Sequence, residues 1–124
     1  MPRTITGWRL PPQDRAALLE RFRPRYPQLV ADHVTLRFDT DGETALPTAR
    51  GGEVVGEVDN GKGVQALVVR IDGTTERGDG SHFHITWSLG PGRRAKESND
   101  AIAARGWERI HPPVPIALTP ERCR

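Results

Sequence analysis

Two short stretches hold residue types that could do acid–base chemistry together: His33-Val34-Thr35-Leu36 and His84-Ile85-Thr86-Trp87. Each reads His, apolar, Thr, apolar, and they lie 84 − 33 = 51 residues apart. An imidazole titrates near neutrality, so one neutral ring can take a proton while a second, charged ring gives one. A threonine hydroxyl can donate a hydrogen bond to a non-bridging phosphate oxygen. Two histidines and two hydroxyls around one phosphodiester therefore supply a base, an acid and two anion donors. That chemistry needs neither a metal nor an organic cofactor, and none is expected.

Such a set works only if rigid elements hold it. Over residues 32–38, His33, Thr35 and Arg37 alternate with Val34, Leu36 and Phe38. Over residues 81–89, His82, His84, Thr86 and Ser88 alternate with Phe83, Ile85, Trp87 and Leu89. A period of two predicts strands, each with one apolar face for the core. The His/Thr faces must then point toward solvent or a shared cleft. Residues 4–10 read as a further short strand. Pro11 and Pro12 open a helix that carries Asp14 in its first turn and ends before Pro24. Its packing stripe is Ala16, Leu19 and Phe22, widened by Leu18. Valine-rich residues 53–58 and 64–71 flank Asn60-Gly61 and predict a hairpin with a five-residue loop, 59–63. Ser98-Asn99-Asp100 reads as the N-cap and first turn of a short helix ending at Gly106. Residues 107–110 and 115–118 read as edge strands, because prolines flank them. Residues 24–31, 39–52 and 72–80 read as loops. The sum is about six or seven strands and two helices, an α+β arrangement of mostly antiparallel sheet in one domain over residues 1–124.

Further side chains are candidates for substrate contact. Arg37 shares the face of His33 and Thr35, and His82 shares the face of His84. A chelating role for His82 with His84 lacks a third ligand at a recognisable spacing. Arg93, Arg94 and Lys96 precede the helix that starts near Ser98 and Asn99, and a helix N-terminus beside cations is a natural anion site. Tyr26 and Trp107 are aromatic rings suited to stacking on a base.

The doublet resembles the motifs of the 2H phosphoesterase superfamily, named for its two His-x-Thr/Ser motifs. The stretches TGWRL, HVTLRF and HITWSLGPGRRAKESND are similar to those of a small variant linked to RNA-repair proteins, within a group that includes the LigT-like RNA 2′,3′-cyclic phosphodiesterases and the cyclic phosphodiesterase domains of tRNA ligases. The resemblance spans residues 5–110. It implies two pseudo-symmetric lobes of antiparallel sheet with outer helices around a central cleft, each lobe giving one motif. It implies His33 and His84 as the acid/base pair and Thr35 and Thr86 as phosphate ligands. The implied activity is metal-independent hydrolysis of 2′,3′-cyclic phosphate ends of RNA or nucleotides to a phosphomonoester, the 2′-phosphate. The alternatives are another cyclic nucleotide-type substrate or a non-catalytic module that binds RNA ends. The implied partners are RNA 3′ ends, cyclic nucleotides and RNA-repair enzymes.

Composition narrows the setting. The chain has 124 residues, of which 35% are hydrophobic. No run nears the roughly 18 apolar residues of a spanning helix, so a membrane partner is not expected. MPRTITGWRL lacks the apolar stretch of a secretory leader. The single cysteine, Cys123, can form neither an intramolecular disulfide nor a cysteine zinc site. A reducing cytoplasm and a monomer are the expectation. Gly and Pro together make 13 + 11 = 24 residues, which predicts many turns and short elements. The net charge is 18 − 16 = +2 and the pI about 9.2. Lys62 and Lys96 are the only lysines. Codon bias in a GC-rich genome favours arginine, and its planar fork also matches phosphate oxygens.

Overall fold

A computed structural model describes residues 4–40 and 43–123, with the backbone alone described at 4, 38–40 and 123. The elements run β1 (Thr4–Arg9), α1 (Pro12–Arg21), β2 (Gln28–Leu29), β3 (His33–Thr40), β4 (Gly51–Asp59), β5 (Val64–Arg70), β6 (His84–Leu89), α2 (Glu97–Arg105), β7 (Glu108–Ala117) and β8 (Thr119–Cys123). The strands form one curled antiparallel sheet in the order β7-β4-β5-β6-β3-β1-β8, with β2 paired to β6. Among the described residues no helix is long and apolar enough to cross a membrane.

The sheet has two halves. One is β1, β3 and β8; the other is β4, β5, β6 and β7. They meet where β3 runs beside β6, through a single register pair, Val34 with Ile85. On the other side β3 pairs β1 along its length, with Gly7 opposite Thr35 and Arg9 opposite His33. A Cβ at Gly7 would sit 2.1 Å from the Val34 carbonyl oxygen, so only glycine lets β1 approach β3 this closely.

Both sheet faces are covered. Trp8, Leu18, Phe22, Val34, Leu67, Val69, Ile85 and Trp87 pack together under α1. Val55, Val58, Val64, Ala66, Val68 and Leu89 pack under Ala101 and Ile102 of α2. The Trp87 ring is fully buried, and its Nε1–H donates to the Phe22 carbonyl at 2.7 Å, which ties β6 to the end of α1. The helix buries Leu18 and Phe22, spaced i, i+4, with Leu19 half-buried; Ala16 is exposed. The expected stripe thus holds at Leu18, Leu19 and Phe22, and Ala16 alone of it faces outward.

Three other expectations change. Residues 107–110 and 115–118 are not two strands: Glu108–Ala117 is one edge strand, paired only to β4. The β4 register jumps from Val114 to Arg109, so Pro112 and Pro113 fall in a bulge outside the ladder, and the edge position of β7 tolerates Pro115. The helix α2 starts at Glu97 with Lys96 at its N-cap, so Ser98 is an interior residue. Gly106 ends it with φ +67°, as expected. The stretch 24–31 contains β2, which pairs Gln28 with Leu89 and Leu29 with Ser88. The Phe38 side chain, expected in the core, lies outside the described residues.

Candidate active site

The register at the centre of the sheet builds the site. Val34 opposite Ile85 means 34 + 85 = 33 + 86 = 35 + 84, so His33 faces Thr86 and Thr35 faces His84 across the two strands. All four side chains lie on the face opposite Val34 and Ile85, which are 1% and 0% exposed. The histidines are diagonal neighbours, a relation that separates residues by roughly 7–8 Å. His33, Thr35, His84 and Thr86 line one cavity of about 200 Å³. Ile5 of β1 and Ala95, Lys96 and Asn99 at the start of α2 complete it. No carboxylate belongs to this lining, and one lysine does.

His84 is fixed and desolvated. Its Nδ1 lies 2.9 Å from the His82 carbonyl oxygen. A carbonyl only accepts, so Nδ1 carries the proton and Nε2 keeps its lone pair in the neutral ring. Burial pushes the His84 pKa below the usual imidazole value; the positive charges of Arg77, His33 and His82 push the same way, and the bond to the His82 carbonyl opposes them. His84 is thereby held neutral near pH 7. His33 differs: its side chain is 34% exposed, and its Nδ1 lies 3.8 Å from the Asp32 carboxylate.

The hydroxyls are held too. Thr86 Oγ1 lies 2.9 Å from Ser98 Oγ and donates to the Ala95 carbonyl at 3.3 Å. Ser98, fully buried, stands behind Thr86 rather than capping the helix or lining the cavity. The turn before α2 is closed instead by Glu97, whose carboxylate accepts from the Arg94 N–H at 2.6 Å and from Arg93 at 3.1 Å. These bonds hold the Glu97 carboxyl below its usual range.

One residue of this neighbourhood has no sequence signature. Arg77, in the loop between β5 and β6, has a side chain only 3% exposed. Its guanidinium donates to the Thr35 carbonyl at 3.4 Å and to Asn99 Oδ1 at 3.5 Å, and pairs with Asp79 at 3.2 Å. A cation inside a glycine-rich polar loop reads as solvated, so only the structure reveals its burial.

The other candidates stand apart from the cavity. Arg37 is exposed and lines no part of it. His82 is not part of β6: its Nδ1 meets Thr75 Oγ1 at 3.0 Å and its ring packs edge-on against Trp107 at 5.0 Å. The side chain of His82 is thus packed away, and its carbonyl serves His84. Among the described residues no three His, Cys, Asp or Glu side chains are grouped to hold a metal ion. The Tyr26 hydroxyl is committed to Asp59 Oδ1 at 2.5 Å. Burial and that bond raise the tyrosine pKa. Trp107 covers Gly56, where a Cβ would sit 2.0 Å from the indole. Its free edge lines a separate, larger groove of about 460 Å³ with Arg25, Arg105, Glu57, Asp59 and Glu108. Mixed charge there offers no anion preference, and the paired motifs are absent from it.

Compared with family models, curated proteins and solved structures, the chain matches none. The likeness to two-histidine phosphoesterases therefore rests on the paired motifs.

Proposed function

We propose that the protein is a metal-independent phosphodiesterase that opens 2′,3′-cyclic phosphates at RNA or nucleotide ends, with a fold of the two-histidine phosphoesterase kind. The observation that carries this reading is the convergence of His33, Thr35, His84 and Thr86 on one small cavity without a carboxylate in its lining. The two sheet halves correspond to the two lobes, each giving one motif to the seam.

The chemistry follows from the different surroundings of the two rings. Neutral His84, with its lone pair at Nε2, takes a proton from a water that attacks phosphorus. His33, beside the Asp32 carboxylate, acts as the acid and gives a proton to the departing 3′ oxygen. The P–O3′ bond breaks as the new P–O bond forms, and the product is a 2′-phosphomonoester. Thr35 and Thr86 donate to the non-bridging oxygens, and Lys96 balances their charge. Thr86 has its O–H on the Ala95 carbonyl and can turn it to a phosphate, because Ser98 can still donate to Thr86 Oγ1.

The test is incubation with the four nucleoside 2′,3′-cyclic phosphates in the presence of a chelator. The wild-type protein should release a 2′-monophosphate. His33→Ala and His84→Ala should each lower kcat by about 10²–10⁴-fold with the fold retained. Parent-rate turnover in either variant removes that histidine from the mechanism. Binding of a 2′-nucleotide with no turnover by the wild type would leave a binding module instead.

A further inference from the structure

We propose that Arg77 is a positioning residue for anion binding: from behind the cavity it fixes the Asn99 amide as a donor and places a buried positive charge against the phosphoryl group. This rests on the reading that the cavity takes a phosphoryl group.

The loop that carries Arg77 is itself pinned. Ile71 bridges to Thr74 and Glu76 to His82, and the Arg77 N–H donates to the Ser81 carbonyl at 2.9 Å. The side chain then reaches three elements. It meets the β3 backbone at the Thr35 carbonyl, the α2 side chain Asn99, and Asp79 of its own loop. A guanidinium can only donate, so Asn99 presents Oδ1 to it and keeps both Nδ2 hydrogens for another partner. Asn99 lines the cavity and Arg77 does not, so the amide relays to the cavity what the buried cation fixes.

Charge placement points the same way. The Asp79 carboxylate that pairs with Arg77 is 54% exposed, whereas the guanidinium is 3% exposed. Water screens the carboxylate more than the cation, so the positive charge acts inward. Among the described residues its charge faces the Asp79 carboxylate of its own loop and the His84 ring on β6. The charge also acts on His84, which it disfavours in the protonated state.

Two readouts that need no turnover test the role: binding of inorganic phosphate, and the NMR titration midpoint of the His84 ring. Arg77→Met keeps the length of the stem and removes the fork and the charge. It should weaken phosphate binding about tenfold and raise the His84 midpoint toward the ordinary imidazole value. A folded Arg77→Met protein in which either quantity stays at the wild-type value overturns the proposal. If that variant does not fold, Arg77→Lys decides, since it keeps the charge without the fork. It should hold the His84 midpoint and still weaken phosphate binding; wild-type phosphate affinity would overturn the proposal. Asn99→Ala should weaken phosphate binding and leave the midpoint in place, and an unchanged affinity overturns the relay. A wild-type protein that binds phosphate in this Arg77-dependent way but hydrolyses no cyclic nucleotide would sink the proposed activity while leaving this inference standing.

Discussion

At the scale of single residues, the two motif histidines are the same side chain in different surroundings, and that difference sorts their roles. His84 is 8% exposed and donates Nδ1–H to a carbonyl, whereas His33 is part-exposed beside a carboxylate. Burial removes water from the charged form of His84, so its pKa falls below the ordinary 6.5. A base with a lowered pKa stays competent as the solution turns mildly acid. The acid limb of kcat/KM should therefore lie below pH 6.5, read from a pH–rate profile with a nucleoside 2′,3′-cyclic phosphate. A limb above that value would mean that His84 is not the base. Ser98 permits a second expectation. Ser98→Ala leaves Thr86 with the Ala95 carbonyl alone and frees its hydroxyl to settle there. The variant should lose about 1 kcal/mol of stability and several-fold in kcat, measured by thermal melting and steady-state kinetics. Unchanged kinetics would confine Ser98 to a packing role.

At the scale of elements, the site exists because β3 can lie between β6 and β1. Gly7 makes the second contact possible, opposite Thr35 itself. Gly7→Ala would drive a methyl group into the Val34 carbonyl and push β1 away from β3. A loss of about 1–3 kcal/mol is expected, together with loss of activity, because Thr35 rides on the displaced strand. Chemical denaturation and turnover of the same variant check both; a variant of wild-type stability would show that the strands can part freely. The strands themselves were legible in the sequence because side-chain direction alternates: Val34, Ile85 and Trp87 join the core under α1, while Thr35, His84 and Thr86 line the cavity on the other face. Their register was not legible, since pairing across 51 residues depends on the whole sheet. The edge strand β7 was misread as two, because proline forbids a central position but not an edge one. Ser98 was misplaced as a cap by the Ser-Asn-Asp signal, since Glu97 closes that turn instead. Arg77 was missed altogether, because burial of a charged loop residue is decided by elements that pack around it.

At the scale of the whole molecule, the sites that tune the chemistry also set how the fold responds to pH. His84 has a folded pKa below its unfolded value of 6.5. Above pH 6.5 both states are neutral and its contribution is constant. As pH falls below 6.5 the unfolded chain takes the proton first, so stability declines. Asp79 is held down to about 2 from 3.8, chiefly by the Ser81 hydroxyl and N–H, with help from Arg77. Its contribution is present above the unfolded value and is lost as pH falls toward about 2. Glu97, lowered from 4.5, adds loss in the acid range between. Tyr26 acts at the opposite end: its raised pKa means that the unfolded chain ionises first above pH 10, so stability falls there too. The thermal midpoint should thus form a plateau between about pH 6.5 and 10, with an acid decline in two stages. Circular dichroism melts across pH would trace it. In a folded His84→Ala protein the first stage, just below pH 6.5, should flatten, while the second stage persists; Asp79→Asn should do the reverse. A midpoint that stays level from pH 7 down to 4.5 in the wild type would mean that His84 accepts a proton in the fold without cost, and the buried neutral base would go with it.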